Sequence, residues 1–120
     1  MREQDNRSYG SNGESMAAAY LETRGFEILE RNYRHGKSGE IDLIARKGNL
    51  LLFVEVKSRR GDRYGGPLYS IPARKKSTLR HIASAYLQSH PQYSSRDFTC
   101  RFDMISMADG TMDWVEDIIR

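Results

Sequence analysis

The sequence has 120 residues, of which 38% are hydrophobic and 29% charged, and a formal net charge of +3. This suits one modest core in a single domain, and no apolar run approaches the ~20 residues of a membrane-spanning helix. The single cysteine, Cys100, excludes an internal disulfide framework; with His35, His81 and His90 scattered, it makes no zinc-ligand spacing and fits a reducing, cytoplasmic setting.

Residues 1–12 are polar and carry glycine and serine, so they are expected to be a disordered tail ahead of a single domain over 13–120. MREQDNRSYGSNG has no hydrophobic segment of the kind a secretory signal needs. The first helix is expected from near Asn12 to Arg24, with Asn12 as N-cap and Gly25 as the stop. Its apolar stripe is Ala17, Ala18, Tyr20 and Leu21, and Glu14 points along the same face. Glu14 reads equally as a site carboxylate or as a first-turn charge facing the helix macrodipole.

Phe26 to Tyr33 reads as a strand, followed by a basic, glycine-bearing loop through Gly39 in which His35 reads as exposed. The next stretch, GEIDLIARKGNLLLFVEVKSRR from Gly39 to Arg60, reads as a β-hairpin turning at Gly48-Asn49. Facing residues then have numbers summing to 97, which sets Asp42 opposite Glu55 and Glu40 opposite Lys57. By alternation these four share a face with Ile44 and Phe53. Ile41, Leu43, Ala45, Leu52, Val54 and Val56 form the opposite, apolar face. Like charges directly opposed on a sheet repel, and a divalent cation between Asp42 and Glu55 would turn that repulsion into a site. The competing reading is a plain edge-strand charge at Asp42 beside a solvent-facing Glu55–Lys57 pair.

A glycine-rich loop over 61–67 leads to a second helix, expected from about Pro72 to Ser89 and ended by His90-Pro91. Leu79, Ile82, Ala83, Tyr86 and Leu87 give it a strong amphipathic period. Strands are expected at Arg101 to Met107 and Met112 to Ile118, joined by an Asp109-Gly110 turn. The order α-β-β-β-α-β-β implies an α/β fold with a mixed sheet flanked by helices. Between Lys57 and Arg80 eight basic residues face one acid, Asp62. A basic skirt beside an acidic cluster suggests a polyanionic substrate, although a solvated helix and loop surface would look the same.

Glu40-Ile41-Asp42 followed by Glu55-Val56-Lys57 resembles the PD-(D/E)XK motif of the restriction-endonuclease-like nucleases. More narrowly, Gly13-Glu14, Tyr20-Leu21, Gly25-Phe26, Arg31-Asn32-Tyr33-Arg34, Gly39 to Ala45, Phe53 to Arg59 and Arg101-Phe102-Asp103 are similar to the bacterial YraN family, over about residues 13–107. The resemblance implies a metal-dependent nuclease with a restriction-endonuclease-like core. Asp42, Glu55 and the Val56 carbonyl would hold Mg²⁺ or Mn²⁺. Lys57 would orient the attacking water. Glu14 would match the helix-one acid of archaeal Holliday-junction resolvases, whose dimeric state leaves a homodimer open here. Ile41 stands where the motif has proline, and Lys76 stands near a helix-two position where some relatives carry Gln.

Arg59, Arg60, Arg63, Lys75, Lys76 and Arg80 are the expected nucleic-acid contacts, supplying affinity that falls with salt. No base-reading motif is present, so structure-selective cleavage of DNA fits better than sequence-specific cleavage. The alternative is a nucleic-acid-binding module that keeps the fold without catalysis.

Overall fold

The computed structural model describes residues 8–59, 71–108 and 110–119, with residues 8–12 and 59 described by backbone alone. Arg60, Arg63, the 61–67 loop and Asp109 lie outside the described residues. Helix α1 spans Ser8–Thr23. It starts four residues before Asn12, so part of the expected tail is helical and Asn12 is no cap; residues 1–7 are outside the described set. Its C-terminus closes as expected at Gly25, whose φ is 91°. Gly25 N–H donates to Glu22 O at 3.0 Å and Phe26 N–H to Leu21 O at 3.0 Å, a Schellman closure that a Cβ at Gly25 would oppose.

Strands β1 (Glu27–Arg34), β2 (Glu40–Lys47) and β3 (Leu50–Arg59) precede helix α2 (Ala73–Ser89) and a short 3₁₀ turn at Pro91–Tyr93. Strands β4 (Thr99–Ala108) and β5 (Thr111–Val115) complete the expected order, with both boundaries shifted by a few residues. Pro72 stands just before α2 with φ −60° and ψ 149°, one residue outside its expected helical place. The five strands form one sheet in the order β1-β2-β3-β4-β5. All neighbours are antiparallel except β3 and β4, which run parallel from Leu50↔Thr99 to Arg59↔Ala108. A parallel pair needs a crossover, and α2 supplies it.

The hairpin register is the expected one: Leu43↔Val54, Ile44↔Phe53 and Ala45↔Leu52 all sum to 97. Gly48 carries the turn at φ 58°. The helices lie on opposite faces. Ala17, Ala18 and Leu21 of α1 pack on Leu43, Ala45, Leu52, Val54, Ile105 and Met107. Leu79, Ile82, Ala83 and Tyr86 of α2 pack on Ile41, Ile44, Leu51 and Phe53. Gly13 lets α1 approach closely, since a Cβ there would meet Met107 Cε at 3.3 Å and Ser58 Cβ at 3.5 Å.

Ile41 is a correction. Strand alternation assigns it to the face of Leu43, yet Ile41 packs with α2 while Leu43 packs with α1. The neighbouring strand slips in the same place. Arg31 donates to Ser15 Oγ of α1 at 2.9 Å, whereas Tyr33 meets Tyr86 of α2 edge-on at 5.0 Å. Between them Asn32 holds φ 52°, a left-handed backbone that is uncommon outside glycine and best tolerated by Asn. One such residue rotates the chain and reverses which face the next side chain takes.

Candidate active site

Glu40 and Asp42 sit at this slip, and they meet Glu14 there. One carboxylate oxygen from each of Glu14, Glu40 and Asp42 lies within 4.8 Å of the others. Glu14 is the seventh residue of α1, so it is not a first-turn charge, and the macrodipole reading falls away. Its place one turn before Ala17 on the packed stripe carries it to the sheet.

The β2–β3 ladder pairs no further than Leu43↔Val54 toward this end. Asp42 takes over instead, with its Oδ2 accepting the Val56 N–H at 2.8 Å. In a strand the N–H and C=O of one residue face the same neighbour, so the Val56 carbonyl also points to the Asp42 side. The strands thus part into a fork, with carboxylates between its arms.

Asp42 carries the strongest electrostatic signature of the site. Burial, then the charge of Glu55, push its carboxyl up to about 8; Glu14 and Glu40 push the same way, and only the Val56 N–H opposes them. Glu55, 7% exposed, faces the α2 side. Its Oε2 takes Lys75 Nζ at 2.7 Å. Burial alone would lower the Lys75 ammonium, but the Glu55 hydrogen bond and the charges of Glu55, Asp42 and Glu40 raise it. Asp42 and Glu55 line one cleft of about 580 Å³ with Ser38, Gly39, Glu40, Arg74, Lys75 and Thr78. They do not stand as an isolated facing pair: the close carboxylate group is Glu14, Glu40 and Asp42, with Glu55 joined to it through the shared cleft.

Lys57, two residues on from Glu55 along β3, is partly buried and makes no ion pair with a described residue. Of the expected nucleic-acid contacts, Lys75 belongs to the site rather than to an outer basic face. Lys76 is partly buried and Arg80 exposed on α2. Arg59 is described by backbone only. Lys75, not Lys76, is the helix-two residue directed at the carboxylates.

A family model described as "Uncharacterised protein family UPF0102" matches residues 13–107. The chain belongs to this family. A UPF0102 protein of Syntrophus aciditrophicus is 46% identical over 82% of the chain and 75% of its own length. One of Symbiobacterium thermophilum is 45% identical over 87% and 85% respectively, and one of Geobacter metallireducens 41% over 94% and 90%. The UPF0102 match therefore takes in every residue of the cluster and of its supports.

Three site features were not assigned from sequence: Glu40 as a member of the carboxylate group, Lys75 as the partner of Glu55, and Asn32 beside both Glu14 and Glu40. Arg101-Phe102-Asp103 plays a structural part. Asp103 is fully buried and accepts from Arg101 Nε and Nη2, both at 2.9 Å, from Trp114 Nε1 at 2.8 Å and from Asp117 N–H at 2.9 Å. It ties the end of the chain to β4. No helix of the described residues is long and apolar enough to cross a membrane.

Proposed function

We propose that this UPF0102 protein is a metal-dependent nuclease that hydrolyses phosphodiester bonds in DNA and selects substrates by their structure. The observation that carries this reading is the convergence of Glu14 from α1 with Glu40 and Asp42 from β2. Carboxylates on separate elements repel, and a fold that gathers them needs positive charge in return. The donor set is all oxygen, which suits a hard divalent ion such as Mg²⁺ or Mn²⁺. The raised Asp42 carboxyl is a further sign of fit, because it retains a proton where a cation would relieve the same repulsion. Asp42, Glu14 and Glu40, with Glu55 and the Val56 carbonyl, would hold the ion. Once bound, it would stabilise charge on the phosphoryl oxygens and lower the pKa of its water.

The chain's own groups divide the remaining work. Lys57, two residues on from Glu55 along β3, would donate to a phosphate oxygen or to the attacking water. Arg74 on the cleft rim, with Lys76 and Arg80 further along α2, supplies backbone contacts without base reading. The test is Mn²⁺-dependent cleavage of single-stranded, duplex, flap and four-way-junction DNA, with EDTA and Asp42→Asn as controls. Cleavage that survives Asp42→Asn refutes the assignment.

One observation favours a second reading. The Lys75–Glu55 ion pair already neutralises Glu55 without a metal. In a nucleic-acid-binding module lacking catalysis this pair would be permanent, and the cleavage panel would show retention of DNA with no products.

A further inference from the structure

We propose that Asn32 is a positioning residue that holds Glu14 and Glu40 in register for a cation; this rests on the reading of the carboxylate group as a divalent-cation site. Its Nδ2 donates to Glu14 Oε1 at 2.9 Å and to Glu40 Oε2 at 3.0 Å. Two acceptor carboxylates at that distance fix the amide orientation, since its oxygen would be repelled by both. A primary amide nitrogen carries two N–H donors on one uncharged atom. Asp or Gly would supply none, Ser or Thr one, and Lys or Arg would add the charge that a bound cation has to bring. Asn32 can therefore bridge two carboxylates without competing electrostatically for their ion.

The backbone explains why the bridge can form. Asn32 lies on an edge strand, and ordinary alternation would give it one face of the sheet. Its φ of 52° turns it out of that alternation, so that Arg31 reaches α1 and Tyr33 reaches α2. The amide is left between the elements, within reach of Glu14 of α1 and of Glu40 at the start of β2. Arg34 completes the hold by taking the other oxygen of Glu40 at 3.1 Å. The segment Arg31-Asn32-Tyr33-Arg34 thus acts as a unit: Arg31 docks α1, Tyr33 anchors in the α2-side core, and Asn32 with Arg34 sets the carboxylates.

Groups that orient metal ligands from behind typically change metal affinity about 10–100-fold when removed. Asn32→Gly keeps the left-handed backbone free of strain and deletes only the donor. Mn²⁺ binding to the metal-free protein, read from the paramagnetic resonance of the free ion, is compared in wild type and Asn32→Gly, with melting in EDTA to establish folding. The expected result is a cooperatively melting variant whose Mn²⁺ dissociation constant is raised about 10–100-fold. A folded variant that binds Mn²⁺ as tightly as wild type overturns the role of Asn32 and leaves the cation site standing. Wild-type protein that binds no Mn²⁺ overturns both. Should Asn32→Gly not fold, the wild type still decides the matter. In isotope-labelled protein titrated with Mg²⁺, the two side-chain amide protons of Asn32 should both shift as their carboxylate acceptors take the ion. Protons that stay unmoved while Mg²⁺ raises the melting temperature overturn the proposal.

Discussion

Asp42→Asn separates a charge kept for a ligand from a charge kept for the fold. The Asp42 carboxyl rises from the ordinary 3.8 to about 8, through burial first and then the charges of Glu55, Glu14 and Glu40. In the unfolded chain it titrates near its ordinary value. Between those values the folded protein binds a proton that the unfolded chain has released, so stability falls as pH rises. The contribution of this group is therefore complete below about pH 4 and lost as pH passes through about 8. At about 1.36 kcal/mol per unit, a rise of roughly four units sets a ceiling of about 5–6 kcal/mol. Three like-charged neighbours at ~0.2–1 kcal/mol each give a lower figure of about 1–3 kcal/mol, and side-chain relaxation with water entry favours the lower one. Asn reproduces the shape of the protonated carboxyl and can still accept the Val56 N–H. In EDTA the variant should match wild type below about pH 4, where the carboxyl is protonated in folded and unfolded chains alike, and exceed it by about 2 kcal/mol near pH 9, or about 6–12 °C in melting temperature. Adding Mn²⁺ at pH 8 should raise wild type by about 2.7 kcal/mol at a hundredfold excess over its dissociation constant and leave the variant unmoved. A variant less stable than wild type at both pH values, with no Mn²⁺ response in either protein, would refute the reasoning.

Lys75→Met removes the cation from a Glu55 that is itself buried, and should lower metal-free stability by roughly 1–3 kcal/mol in urea titration. The same variant should gain more stability from Mn²⁺ than wild type does, because no ammonium competes for Glu55; an equal gain would mean that Glu55 is not a ligand. Asp103→Ala should cost about 3–5 kcal/mol, since it leaves Arg101 partly buried without its main partner and strands the Trp114 and Asp117 N–H groups, while Mn²⁺ affinity of the folded fraction stays at the wild-type value. For DNA, replacing Arg74 and Lys76 together with Ala should reduce the slope of log affinity against log salt by about 2 for duplex of any sequence; an unchanged slope would place the DNA on another face.

The hairpin was legible because two signals agree there. The Gly48-Asn49 turn fixes the register, and the apolar alternation fixes the faces. Glu14 was half legible, since its spacing from Ala17 and Leu21 shows the face it takes but not what stands opposite. Lys75 carried a signal of the same kind that sequence reading passed over. It lies four residues before Leu79 and seven before Ile82, on the packed stripe, whereas Lys76 is one position, or about 100°, around the helix. The slip at Asn32 was not legible. A single left-handed residue inside an extended run follows no turn pattern, and its effect on Ile41 passes through a neighbouring strand. Tertiary packing decides such a residue, and strand periodicity is blind to it.

The close fit of α1 at Gly13 bears on when in the life of the chain the site comes into being. Glu14 follows that glycine directly, and α1 rests on Ile105 and Met107 of β4 as well as on the hairpin. A chain leaving the ribosome presents α1, β1 and the hairpin long before those two residues are made. Contacts of such large sequence separation form late, because their loop-closure entropy must be met first. Glu14 can meet Glu40 and Asp42 as soon as α1 settles on the hairpin, and the docking of β4 beside β3 then completes the seat of α1 at Ile105 and Met107.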